Sequence, residues 1–276
     1  MKKAAVLCWL LLVAGCAPQK GIPSQETSDE VRIVSFLPSG TETLFALGLG
    51  PYVIGRSSFC DYPPEVAGLP VVGDLFSAKE DTLVALRPTH AILGRTNAPQ
   101  APLLHAINCK IIEERAETAA DILAFADTLG RYFPARTNGL ACEGSTWRKA
   151  MEELALAKSP QNAERVLVVV SHAPGRFGTA FVAGEATFHD ELLRAAGFAN
   201  ALAGTRGYPV LDPDKIAEIA PDLLIDIHPD GEEAHEVSWN YLPNTRIVIL
   251  CDTAALRPGP RLPDILLRFR GFSRHP

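Results

Sequence analysis

Apolar residues fall into two rhythms along this chain. Short continuous runs have the length and β-branched content of strands buried on both faces. They are Arg32-Ile33-Val34-Ser35-Phe36, Ala91-Ile92-Leu93, Lys110-Ile111-Ile112, Arg165-Val166-Leu167-Val168-Val169-Val170-Ser171, Leu223-Leu224-Ile225-Asp226-Ile227 and Arg246-Ile247-Val248-Ile249-Leu250. Between them, apolar positions recur at helical spacing, as in Leu44, Phe45 and Leu47, or in Leu83, Val84 and Leu86. Ser39-Gly40-Thr41-Glu42 and Ser77-Ala78-Lys79-Glu80 have capping-box spacing. That spacing predicts a Ser hydroxyl accepting from the Glu amide, with the Glu side chain returning to the Ser amide. Thr187 and Asp212-Pro213 read as further helix starts, and Gly48 and Gly197 as stops.

The order of these elements repeats. Each half opens on a strand, passes through a capped helix, then a helix ending in Arg87-Pro88 or Ala220-Pro221, and closes on two strands. Arg32 to Arg165 and Pro88 to Pro221 both span 133 positions, although the inner spacing differs. Between the halves, Ile122, Phe125, Ala126, Leu129 and Phe133 mark a long helix ended by Pro134, with Thr118 and Asp121 as a cap pair. Leu140, Trp147, Met151 and Leu154 mark a second helix. The pattern predicts an α/β protein of two Rossmann-like lobes bridged by a long backbone helix. The expected boundaries are 31–116 for the first lobe, 117–160 for the linking helices and 161–276 for the second lobe.

Composition adds a compartment. Lys2 and Lys3 precede a short apolar run, too short to span a membrane comfortably. Val13-Ala14-Gly15-Cys16 resembles a bacterial lipoprotein cleavage box, so residues 1–15 read as a signal peptide and Cys16 as the lipidated residue. Residues 16–30 are polar and read as a flexible tether. The net charge of −6, with no basic stripe, excludes nucleic acid as a partner class. Cys60, Cys109, Cys142 and Cys251 have no metal-type spacing, and their pairing is left open.

The segments Arg32-Ile33-Val34-Ser35-Phe36-Leu37-Pro38-Ser39-Gly40-Thr41-Glu42 and Cys60-Asp61-Tyr62-Pro63-Pro64 resemble the cobalamin and ferric-siderophore receptors of ABC importers. So do the two helix–Pro–strand units and Trp239-Asn240-Tyr241-Leu242-Pro243. These receptors are class III periplasmic solute-binding proteins, and the Asp-Tyr-Pro-Pro loop is most like that of the vitamin B12 receptors. The resemblance implies a monomeric receptor, periplasmic or at the cell surface and lipid-anchored. It would capture a corrinoid or similar metal chelate between its lobes and deliver it to an ABC permease with its ATPase. It implies no catalytic role and no resident cofactor. It also implies transporter docking through an acid on each lobe. Asp214 stands near the expected place, whereas Thr96-Asn97-Ala98-Pro99-Gln100 in the first lobe has no acid.

A ligand cleft in such a fold is lined by strand C-terminal ends and the loops after them. The expected lining is Phe36, Pro38, Ser39, Gly40, Phe59, Asp61, Tyr62, Asp74, Phe76 and Arg95 from the first lobe. The second lobe adds His172, Gly184, Tyr208, His228, Asp252 and Arg257. A corrin needs flat aromatic walls, which Phe36, Phe59, Tyr62, Phe76, Phe177 and Tyr208 can supply. An anionic siderophore would instead want guanidinium forks, with Arg95, Arg176, Arg206 and Arg257 as candidates. His172, His228 and Asp252 each end a strand, and a bare transition-metal ion held by them is the alternative reading. No G-x-S-x-G, H-E-x-x-H or P-loop is present, so an enzyme on this fold is the weakest reading.

Overall fold

The computed structural model describes residues 31–94, 99–138, 144–172, 179–231 and 239–273. Five parallel strands build the first sheet: β1 (Ile33–Ser35), β2 (Val53–Ser57), β3 (Val71–Gly73), β4 (His90–Leu93) and β5 (Lys110–Glu113). Their spatial order is β3-β2-β1-β4-β5. Ile33 and Val34 point to opposite faces, each into its own apolar cluster, which is why the strand is a continuous apolar run. Helices α1 (Pro38–Ala46), α2 (Glu80–Leu86) and α3 (Ala101–Ala106) cover the sheet.

Neither Ser-x-x-Glu box forms. Pro38 takes the first turn of α1 and Leu37 becomes its N-cap, without a side-chain cap bond. Proline has no N–H to lose there, so the helix begins earlier than the serine predicts. Ser39 and Glu42 therefore lie inside the helix, free for other partners. At α2 the N-cap is Lys79, and the Ser77 amide instead donates to Asp74 Oδ1 at 2.7 Å.

The linking helices are α4 (Ala119–Tyr132) and α5 (Thr146–Leu156). The expected Thr118–Asp121 capping box is present: Thr118 Oγ1 accepts from the Asp121 amide, and Asp121 Oδ2 accepts from the Thr118 amide at 2.9 Å. Helix α4 belongs to both cores. Ala119, Ile122 and Leu123 pack with the second lobe, while Phe125, Ala126, Leu129 and Phe133 pack with the first. The position Leu140 lies outside the described residues.

The second sheet contains β6 (Arg165–His172), β7 (Ala180–Val182), β8 (Ala199–Asn200), β9 (Val210–Leu211), β10 (Leu223–His228) and β11 (Arg246–Cys251). Its order is β11-β10-β6-β7-β9, with β8 also pairing β6. Strands β6, β10 and β11 are parallel, and β7 and β9 run as an antiparallel edge. Helices α6 (Phe188–Ala195), α7 (Pro213–Ile219) and α8 (Leu262–Arg270) complete the lobe. Thr187 and Asp212 cap α6 and α7 as their residue types predict. Cys60, Cys109 and Cys251 are free thiols, and Cys142 lies outside the described residues.

Candidate functional site

In the first sheet the chain leaves β1 toward β2 and β3 on one side, then returns to place β4 and β5 on the other. Such a reversal leaves a crevice at the strand C-terminal ends. A cavity of about 420 Å³ occupies it, lined by Leu37, Ser39, Gly94, Glu114, Asp121 and Pro258 among others. Ser39 Oγ donates to Glu114 Oε2 at 3.1 Å. Burial pushes the Glu114 carboxyl up to about 8; the Ser39 hydrogen bond opposes the rise and the nearby Glu42 charge adds to it. At neutral pH the floor of this crevice thus holds a proton.

Beside it, aromatic rings stand on the loops after β2 and β3. Phe59, Tyr62 and Phe76 are 49%, 41% and 73% exposed. The Tyr62 ring lines a cavity of about 390 Å³ with Phe45, Trp147, Pro260 and Arg261. The loop from β2 includes a cis Tyr62–Pro63 bond. Across from it, the segment after β11 brings Arg257 and Arg261 of the second lobe onto this edge. Arg257 makes two hydrogen bonds to Asp61, at 2.5 and 2.9 Å, and one of 3.3 Å to Glu42 Oε1. Arg261 forks onto Glu42 at 2.8 and 2.6 Å, and its guanidinium carbon lies 4.1 Å from the Tyr62 ring centre. Glu42 is 1% exposed at its side chain, so this carboxylate is viable only because two guanidiniums meet it. The Arg257 guanidinium beside Asp61 holds that carboxyl below its ordinary range.

In the second sheet the corresponding reversal lies between β6 and β10. Both strands end in histidine there, His172 and His228. Their rings stack 5.6 Å apart. The acid that joins them is Asp226, inside β10, and not Asp252. His172 Nε2 lies 3.0 Å from Asp226 Oδ1, and His228 Nε2 lies 3.3 Å from the same oxygen. Trp239 Nε1 donates to Asp226 Oδ2 at 3.0 Å. Asp252 is turned to other work: its Oδ1 caps the turn at Ala254, and its Oδ2 pairs with Arg268 at 3.1 Å.

The remaining expected residues separate into surface and scaffold. Ser39 lines the first crevice, Pro38 opens α1 beside it, and Phe59, Asp61, Tyr62, Phe76 and Arg257 stand at the aromatic edge. Phe36, at the bend after β1, is fully buried in one apolar cluster with Val34, Val72 and Leu83, so it forms no wall. Gly40 lets α1 approach the sheet, since a Cβ there would meet Ile92 Cγ2 at 2.7 Å. Gly184 does the same for the 205–207 loop, where a Cβ would lie 2.2 Å from the Thr205 carbonyl oxygen. Asp74 closes its own turn through the Phe76 and Ser77 amides. Tyr208 is part-exposed, with its hydroxyl 3.1 Å from His189 Nδ1. His189 is buried and held near 4 by desolvation, so it is neutral and structural. Cys16, Arg95, Arg176 and Phe177 lie outside the described residues, as do Thr96, Asn97 and Ala98. Asp214 is exposed in the first turn of α7.

Sequence reading missed Glu42, Glu114, Asp226 and Arg261 as members of these clusters. Asp226 was detectable as the one acid inside an otherwise apolar run. Glu42 was hidden by its helix-cap spacing.

A family model described as periplasmic binding protein matches residues 33–229. The vitamin B12-binding protein of Pectobacterium carotovorum subsp. carotovorum (strain PC1) is 25% identical over 264 residues, covering 93% of this chain and 90% of that protein. An uncharacterized ABC transporter substrate-binding lipoprotein of Bacillus subtilis (strain 168), YvrC, is 26% identical over 245 residues, covering 84% of this chain and 76% of its own length. The solved structure of the periplasmic heme-binding protein HutB of Vibrio cholerae superposes with a TM-score of 0.72 at 21% identity, covering 90% of this chain and 100% of that one.

Proposed function

The chain belongs to the periplasmic binding protein family, and from that membership we propose that it captures a corrinoid, or a metal chelate of similar flatness, between its two lobes for an ABC importer. It works outside the cytoplasm, its partners are an ABC permease with its ATPase, and its ligand is small. A lipid anchor through Cys16 and a monomeric state are part of the proposal.

One observation carries the ligand class. Phe59, Tyr62 and Phe76 stand exposed on one edge of the first sheet, in a chain that a vitamin B12-binding protein matches over 93% of its length. A corrin or porphyrin presents wide apolar faces, and exposed rings meet such faces by stacking and burial. Arg257 and Arg261 border the same edge, where their guanidiniums are engaged by Asp61 and Glu42 and fix its shape. The expected docking acid Asp214 is free on the surface for the permease, and no first-lobe counterpart is assigned. No catalytic step is part of this reading.

Calorimetry with cyanocobalamin, haemin and a ferric siderophore tests it. At least one should bind at micromolar Kd or tighter. Tyr62→Ala should weaken that binding by roughly 1–3 kcal/mol, the scale of one large ring's burial. If folded protein binds none of the three, the chelate reading is wrong.

A further inference from the structure

We infer that His172, Asp226 and His228 form a binding site for a single borderline divalent transition-metal ion, of the Zn²⁺ or Co²⁺ kind, within the second lobe. The inference does not depend on the chelate reading.

The geometry is that of a ligand set already gathered. One donor atom from each of the three residues lies within 4.8 Å of the others. Zinc takes imidazole nitrogen and carboxylate oxygen at about 2.0–2.2 Å, which places tetrahedral donors roughly 3.3 Å apart. The two nitrogen-to-oxygen separations of 3.0 and 3.3 Å match that spacing, and the two histidine nitrogens lie within 4.8 Å of each other. Two imidazoles with one carboxylate suit a borderline ion better than Mg²⁺ or Ca²⁺, which prefer all-oxygen shells.

The hydrogen bonding among the described residues leaves the set incomplete. Asp226 is 1% exposed in a central parallel strand, where a carboxylate needs full compensation. Trp239 satisfies Oδ2 and His172 bonds to Oδ1. His228 Nε2, whose side chain is only 8% exposed, has no hydrogen-bond partner although it faces the same Oδ1. A buried nitrogen without a partner is uncommon in folded proteins. An ion at the centre would take the His228 lone pair and the Oδ1 charge together. Trp239 would then act on the far oxygen, orienting the carboxylate as outer partners of metal ligands do.

Burial also distinguishes this site from an axial ligand to a chelated metal. An axial donor must stand clear of its sheet to reach the centre of a wide ring. His228 and Asp226 are enclosed, whereas a bare ion can enter past His172, whose side chain is 25% exposed.

The test uses chelator-treated full-length protein titrated with Zn²⁺ and Co²⁺. One equivalent should bind at micromolar Kd or tighter, Co²⁺ should give the visible band of a low-coordinate N/O site, and Tm should rise with metal. His228→Ala and Asp226→Asn should each lose the band and at least tenfold in affinity. His172→Ala, at the exposed end of its strand, gives the same reading if either buried variant fails to fold. His105→Ala, an exposed histidine elsewhere, should bind like wild type. Folded wild type that retains no ion, or binding that survives both His172→Ala and His228→Ala, overturns the inference. Chelate titrations on the same variants keep the two results separate: His172→Ala that loses the ion but still binds chelate supports this site and leaves the receptor reading intact.

Discussion

At the scale of single residues, the largest departures from expectation are charged groups placed where water cannot reach. Glu114 is the clearest. Its carboxyl titrates near 8 in the folded protein and near 4.5 as a free side chain. The folded state therefore holds a proton that the unfolded chain has already released, so this group's contribution to stability is lost as pH rises from about 4.5 to about 8. Glu114→Gln keeps an acceptor for Ser39 and removes the titration. It should flatten the pH dependence of unfolding over that window and stabilise the protein by up to about 4 kcal/mol at pH 8. Urea unfolding of both proteins between pH 5 and 8 measures it, and parallel profiles would show that Glu114 is not held protonated. Glu42 is the contrasting case. It is equally buried, but Arg257 and Arg261 compensate it, and the same two arginines carry the second lobe onto the first.

At the scale of elements, α4 is the joint of the molecule. Its first turns are wedged in the second-lobe core and its last turns in the first-lobe core, so one helix is common property of both. Trp147 of α5 packs against both clusters as well, and its indole N–H donates to the Pro260 carbonyl at 3.0 Å. Damage to either half of α4 should therefore be felt by both lobes. Leu129→Ala should cost about 2–5 kcal/mol through the cavity it leaves. Thr118→Ala should cost about 1 kcal/mol through the lost cap. In each variant, circular dichroism and tryptophan fluorescence should report one shared denaturant midpoint. Two separated transitions would show that the lobes fold independently of their link.

At the scale of the whole molecule, the described residues from Val31 onward form one compact unit. Among them no helix is long and apolar enough to cross a membrane. The lipid anchor proposed above would use the N-terminal segment, where an apolar run ends in Ala14-Gly15-Cys16 and a polar stretch follows. A single cysteine carrying lipid would hold the receptor near its permease. Wild type should partition into the detergent phase, and Cys16→Ser should move to the aqueous phase. A wild type already aqueous would contradict lipidation.

Strand and helix identities were legible in the residues because burial on two faces demands continuous apolar runs and burial on one face demands helical spacing. The runs at Arg165 and Leu223, the caps at Thr118, Thr187 and Asp212, and the stop at Gly48 needed no tertiary information. The Ser39 and Ser77 boxes misled because capping spacing is a local signal, and a proline at the first turn or a competing Asp turn outranks it. The short strands β7, β8 and β9 were invisible, since two or three residues carry no periodicity. The candidate site was legible only as far as strand ends and loop aromatics go. Phe36 and Tyr62 look alike in sequence, and packing alone decides that one ring is core and the other surface. Likewise, which acid joins His172 and His228 follows from strand register: Asp226 and His228 share a face of β10, while Asp252 lies beyond the end of β11 and pairs with Arg268. The sequence by itself determined the main strands and helices and their order, because those follow from local burial and spacing, and its motifs carried the family resemblance. Only the tertiary structure decided which charges meet, because Glu42 with Arg261, Ser39 with Glu114 and His172 with Asp226 are pairs separated by 219, 75 and 54 positions, brought together by the sheets and by the helix between them.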